Sequence, residues 1–184
     1  MKLLNFSAEK LSAVIKGCDS DTVWMVAFST NTAAVPTDET QQITFNTFYA
    51  YAVTPQGISN NPVKSTLNIN IYDQRGNLKF SPNGKMLAAA NASSGLYLLD
   101  FNSDNGRLSN PLYIDMNSVD YAPYGVEFSP NSQFLYVHSS TDGNPLDPSA
   151  MHTSSLFQFD VESQNIPQSK IILDEQNLFR GSLQ

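Results

Sequence analysis

The 184-residue sequence holds one cysteine, two histidines and one tryptophan, and each scarcity excludes something. Cys18 has no partner for an internal disulfide, and no CxxC or Cys/His cluster is present to hold structural zinc. Charge is sparse too: Asp, Glu, Lys and Arg make up 15% of the chain, and its ten cations never form a run. Seventeen acids against ten bases give a net charge of −7, so the surface repels phosphate backbones and anionic lipid. Nucleic-acid partners are therefore not expected. No apolar stretch approaches the roughly 18–20 residues of a membrane-spanning helix, so no membrane span is expected. Residues 1–6 are too short for the core of a signal peptide, which places any export signal outside this chain.

What the sequence does have is apolar content. At 41% hydrophobic and 11% aromatic residues it carries enough to build a packed core. The polar remainder is mostly uncharged, with 22 Ser and 18 Asn that satisfy turns and edges without charge. Such surfaces are common outside the cytosol.

The chain repeats itself. Gly76-Asn77-Leu78-Lys79-Phe80-Ser81-Pro82-Asn83-Gly84 returns as Gly125-Val126-Glu127-Phe128-Ser129-Pro130-Asn131-Ser132, an offset of 48 from Phe80 to Phe128. Each copy is followed by an aromatic and aliphatic run, Leu96-Tyr97-Leu98-Leu99-Asp100-Phe101 and then Leu156-Phe157-Gln158-Phe159-Asp160. Upstream, Ser59-Asn60-Asn61-Pro62 matches Ser109-Asn110-Pro111, and Arg180-Gly181-Ser182-Leu183 repeats Arg75-Gly76-Asn77-Leu78 before the chain stops.

Within each unit, runs of Val, Tyr, Phe and Leu lie between Asn, Gly, Pro and Ser clusters, the pattern of strands and tight turns. Strands are expected near 11–16, 22–28, 47–53, 63–71, 76–80, 86–91, 95–101, 110–116, 124–128, 134–139, 155–160, 169–173 and from 181 onward. Ser81-Pro82-Asn83-Gly84 and Asp104-Asn105-Gly106 carry the chemistry of hairpin turns. Four antiparallel strands per 40–50 residues is the period of a β-propeller blade. The expectation is an all-β, incomplete β-propeller over 1–184: blades at about 8–73, 74–120 and 121–175, and the first strand of a fourth at 179–184. The two outer faces of such a piece stay apolar and exposed unless further blades or another chain covers them. Trp24, on a strand that alternates poorly, is expected to be buried on both faces between blades.

The phrase Tyr124-Gly125-Val126-Glu127-Phe128-Ser129-Pro130-Asn131 resembles the blade motif of propellers in secreted and surface proteins of gliding bacteria. Lys10-Leu11-Ser12-Ala13-Val14, Asp21-Thr22-Val23-Trp24-Met25-Val26 and Phe48-Tyr49-Ala50-Tyr51 follow in the order of that family's first blades. The resemblance implies lactonase-like and WD-like blades, export by the type IX route and an extracellular or cell-surface location. This chain has Lys16-Gly17-Cys18-Asp19 where the family carries a histidine.

Candidate sites are few. Arg75 and Arg180 occupy matching positions before an innermost strand, which puts both at one mouth of a propeller channel. Glu127 points from an innermost strand, and His138 ends a neighbouring one. These four are the ligand-binding candidates, with bridging between blades as the competing role. His152 lies in a long loop and shares no motif with His138. Asp100, Asn102 and Asp104 begin like a calcium loop but lack its glycine and final glutamate, and Asp142, Asn144 and Asp147 fit a solvated turn better than a cation site. No nucleophile elbow or phosphate loop occurs, so no catalytic residue, metal or cofactor is assigned. The expected function is non-enzymatic binding or display of a protein or glycan ligand by loops at 30–46 and 139–154. The alternative is a lactonase-like hydrolase acting on a sugar-acid lactone through Arg75, Glu127, His138 and Arg180.

Overall fold

The computed structural model describes residues 2–34, 42–116, 122–141, 153–177 and 183. Strands dominate it, in three antiparallel sheets that follow one another along the chain. The first contains β1 (Leu11–Ile15), β2 (Val23–Ser29), β3 (Phe45–Thr54) and β5 (Val63–Ile71), with the two-residue β4 (Gly57–Ile58) on the far end of β3. The second contains β6 (Leu78–Phe80), β7 (Met86–Asn91), β8 (Gly95–Asn102) and β9 (Arg107–Ile114). The third contains β10 (Ala122–Phe128), β11 (Phe134–Ser140), β12 (Ser154–Asp160) and β13 (Ile171–Gln176). The protein is all-β, and its three groups of four strands are those the repeat implies.

Several strand boundaries move by two or three residues, two of them for evident local reasons. β9 starts at Arg107 rather than 110, because the preceding turn closes at Gly106, which has φ +74°. Pro111 is tolerated inside β9 because that strand is an edge and needs no donor on its open side. β13 starts at Ile171 because Ile166–Ser169 form a 3-10 turn, with a proline in its first residues and Asn165 accepting from the Gln168 N–H. The strand expected from 181, Arg180, His152 and the Asp142–Asp147 cluster lie outside the described residues.

The repeat is visible atom by atom in its turns. Ser81 Oγ contacts Asn83 Oδ1 at 2.8 Å, and Ser129 Oγ contacts Asn131 Oδ1 at 2.6 Å. Gly84 takes the left-handed conformation at φ +68°, and Ser132, 48 positions later, takes it at φ +63°. The two turns touch, since the Asn83 N–H donates to Ser132 Oγ at 3.0 Å.

Two separate apolar clusters hold the sheets together. Trp24, Val26, Phe28 and Phe48 of the first sheet meet Leu87, Ala89, Leu99 and Phe101 of the second. Phe28 and Phe48 stack with ring centroids 4.4 Å apart. Ala88, Ala90, Leu96 and Leu98 on the second sheet's opposite face meet Leu135, Val137, Phe157 and Phe159 of the third. Each large side chain buried this way contributes about 1.5–3 kcal/mol, so sheet-to-sheet contact rather than turn chemistry carries the stability. First strands neighbour first strands, β1 beside β6 and β6 beside β10, while the last strands β5 and β9 also lie side by side.

Trp24 is indeed between the first and second sheets, with its Nε1–H donating to the Ser103 carbonyl at 2.7 Å. Its strand, however, alternates: Trp24, Val26 and Phe28 are buried while Val23, Met25 and Ala27 are half-buried. Burial on both faces is therefore corrected to burial on one. The first sheet's outer face is not wholly bare, because Leu3 and Leu4 pack against Tyr49, Tyr51 and Met25, and the Tyr51 hydroxyl donates to the Leu3 carbonyl. Leu11 and Ile15 on that face are 59% and 61% exposed. Every residue of β13 is exposed, Ile171, Ile172 and Leu173 among them.

Candidate functional site

Antiparallel order places particular connections at one end of all three sheets. Leu11 pairs with Ala27, Leu78 with Ala89 and Ala122 with Ser140, so the starts of β1, β6 and β10 lie beside the β2–β3, β7–β8 and β11–β12 connections. This end gathers residues 8–10, 72–77, 91–95 and 122–124 and both loops proposed from the sequence. Residues 35–41 and 142–152 of those loops lie outside the described residues.

At this end the polar groups are knitted together. The exposed Glu9 accepts at Oε1 from the Gly76 N–H at 2.9 Å and from the Tyr124 hydroxyl at 3.2 Å, joining the chain before β1 to the starts of β6 and β10. Gly76 is required here twice over: its φ is +121°, and a Cβ would lie 2.3 Å from the Ala90 carbonyl oxygen. Lys10 is 2% exposed. Its Nζ donates to the Ala90 carbonyl at 2.6 Å and to Asn91 Oδ1, and it stands 5.9 Å from the Phe28 ring centroid. Burial lowers its pKa from 10.5 to about 7, against the attraction of Asp73 and Glu9. Asn91 is completed by donating to the Ala89 and Gly95 carbonyls, each at 3.0 Å. Asn91, the asparagine of the Asn-x-Ser sequence Asn91-Ala92-Ser93, is thus fully buried, whereas Asn5, the asparagine of Asn5-Phe6-Ser7, is exposed.

Arg75 sits at this end, as its repeat position implies. It is held by its own turn: Nη2 lies 2.6 Å from Asp73 Oδ2, Nε 2.9 Å from Oδ1, and the Arg75 N–H also donates to Oδ1 at 2.9 Å. Ser93 Oγ adds a donor to Asp73 Oδ2 at 2.8 Å. Burial pushes the Asp73 carboxyl up, but the hydrogen bonds from Arg75 and Ser93 outweigh it and bring the pKa down to about 2. Glu127 forms a 2.5 Å ion pair with Lys79 of the neighbouring sheet, the bridging arrangement that competes with ligand binding. His138 lies on the third sheet's outward face, opposite Gly125 and Leu156, where burial lowers its pKa. Arg75, Glu127 and His138 are thus held in three separate settings. Arg180 lies outside the described residues.

Two hollows open among these groups. One, of about 470 Å³, runs along the first strands between Glu9–Ala13, Asn77–Phe80 and Val126, and Leu183 lies against it. The other, of about 490 Å³, lies where 42–45 and 72–75 meet Ser93. In the second, Phe45 is buried and Tyr72 is 48% exposed, with the Tyr72 N–H held by Ser94 Oγ at 3.1 Å. The sequence reading did not single out Glu9, Lys10, Tyr72, Asp73 or Ser93. The available signal was the stretch Tyr72-Asp73-Gln74-Arg75, an aromatic and an acid–base pair in a turn that follows a long strand.

Among the described residues no three His, Cys, Asp or Glu side chains gather in a way that could hold a metal ion, and no helix is long and apolar enough to cross a membrane. The fold defines a class, all-β with three antiparallel four-stranded sheets in series. No protein-family model matches the chain, and comparison with curated proteins finds no match.

Proposed function

We propose that this chain is an incomplete β-propeller, three blades and the beginning of a fourth, acting as a non-enzymatic platform for a protein or glycan ligand within a larger secreted or cell-surface protein. Radial stacking is supported by β1, β6 and β10 neighbouring one another in sequence while β5 and β9 neighbour at the opposite margin. The remaining blades, or another chain, cover the outer faces on which Leu11 and Ile15 stand exposed. The resemblance to propellers of gliding-bacterial surface proteins supports the location.

The observation that carries the platform reading is that these carboxylates are held by the chain's own donors: Asp73 by Arg75 and Ser93 and Glu9 by Gly76 and Tyr124 at the rim, and Glu127 by Lys79 further along the first strands. Such groups fix the loops that meet a ligand, whereas a general base must be aimed at the proton it removes. The test is proteolysis of intact cells expressing the natural gene with a tag in the 139–154 loop. Loss of the tag with cells intact is expected, and a pool protected until lysis overturns the location. Hydrolysis of a sugar-acid lactone by the protein, abolished in Arg75→Ala or Glu127→Gln, overturns the non-enzymatic role.

A further inference from the structure

The hollow bounded by Gln42, Phe45, Tyr72, Gln74, Arg75 and Ser93 has a definite chemical character. Its volume of about 490 Å³ is within the range of small-molecule sites, enough for a molecule of disaccharide size. Tyr72 is 48% exposed on the lining, and Phe45, also on it, is 2% exposed. The wall mixes apolar surface from Ile43, Phe45 and Tyr72 with polar groups and carries no net charge, because Asp73 and Arg75 neutralise each other at 2.6 Å. Gln42, Gln74 and Ser93 are exposed around it.

Each ligand class meets this wall differently. An anion faces the Asp73 carboxylate on a chain of net charge −7. A cation must compete with a guanidinium that already makes several contacts to that carboxylate. A wholly apolar molecule strips water from the Gln42 and Gln74 amides and returns no hydrogen bond. A neutral pyranose satisfies all three surfaces: one ring face is C–H and lies on the Tyr72 ring, and the hydroxyls both donate and accept. An aromatic anchor with two χ angles also loses little side-chain entropy on binding.

We propose that this hollow is a binding site for neutral pyranose saccharides, with Tyr72 as the stacking platform and Gln42, Gln74, Arg75 and Ser93 as hydroxyl partners. The inference rests on the platform reading and names its ligand class. It is tested by titration calorimetry of the full chain with maltose, cellobiose and N,N′-diacetylchitobiose, and with glucuronic acid and glucosamine as charged comparators. At least one neutral disaccharide is expected to bind. Tyr72→Ala is expected to weaken it about tenfold or more, and Tyr72→Phe to keep it within about threefold. Because Tyr72 is half exposed, both variants retain the parent melting temperature, which separates lost stacking from lost folding. Absence of binding by all three neutral sugars, tighter binding of either charged sugar, or binding indifferent to Tyr72→Ala overturns the inference. A bound sugar indifferent to Tyr72→Ala removes this site and leaves the platform reading standing. Conversion of the bound sugar to a new product, followed by mass spectrometry, removes the platform reading and leaves the site.

Discussion

Lys10 gives the molecule a pH dependence that follows from its burial. In the folded chain its Nζ is enclosed between the first and second sheets, and its pKa is about 7; once unfolded, the ammonium returns to 10.5. Below about pH 7 both states hold the proton, and above 10.5 neither does. Between those limits the unfolded chain binds more protons than the folded one, so stability rises with pH through this window and falls as pH drops towards 7. Between pH 7 and 9 the proton difference integrates to about 2 kcal/mol at 1.36 kcal/mol per pKa unit. The groups that face Lys10 are the Ala90 carbonyl, the Asn91 amide and the Phe28 ring, with Asp73 and Glu9 as the nearby charges. The Asp73 carboxylate, held well below this range by Arg75 and Ser93, contributes no slope of its own. Urea unfolding at pH 7, 8 and 9 measures the effect, and Lys10→Met isolates it by keeping an unbranched stem without the titrating group. The parent is expected to gain about 2 kcal/mol over that range and Lys10→Met to stay flat. A flat parent, or the same slope in the variant, refutes the reasoning.

Gly76→Ala is expected to destabilise the fold by about 2 kcal/mol or more, because the methyl group meets the Ala90 carbonyl at 2.3 Å in a conformation with φ +121°; a thermal melt checks it, and an unchanged midpoint contradicts the backbone geometry. Trp24→Phe keeps an aromatic ring but leaves the Ser103 carbonyl without its indole donor, at a cost of about 1–3 kcal/mol in urea titration. In the parent, the single tryptophan is 7% exposed, so its fluorescence emission is expected at short wavelength and resistant to quenching by iodide.

The strand order was readable because each strand is a short apolar run closed by residues with specific turn chemistry. Asn105-Gly106 and Ser81-Pro82-Asn83-Gly84 mark where the chain reverses, and both turns stand where their residues require, with positive φ at Gly106 and Gly84. Ser132 shows the limit of residue type: the same turn recurs with a serine in the left-handed position, legible only through its register with Gly84. The site was less legible. Arg75 could be placed by its repeat position, but its partner Asp73 depends on how a turn folds two residues back on themselves. Lys10 in a polar stretch reads as a solvated cation, and only the approach of Ala90 and Asn91, some 80 residues later, reveals it as buried. Glu127 offered two readings, a ligand contact and a bridge between blades, and Lys79 beside it supplies the bridge. Strand patterning is local and survives in the sequence, whereas these partnerships are set by how sheets lie against each other.

The alanine run Ala88-Ala89-Ala90 in β7, fully buried on both faces of the second sheet, governs geometry as well as packing. At these three positions the second sheet presents only methyl groups to its neighbours, and one strand further out it presents Leu96, Leu98, Leu99 and Phe101. Side-chain volume on the second sheet therefore rises from β7 to β8. A larger side chain at any of the three alanines has no free volume to enter and must push the second sheet away from one of its neighbours.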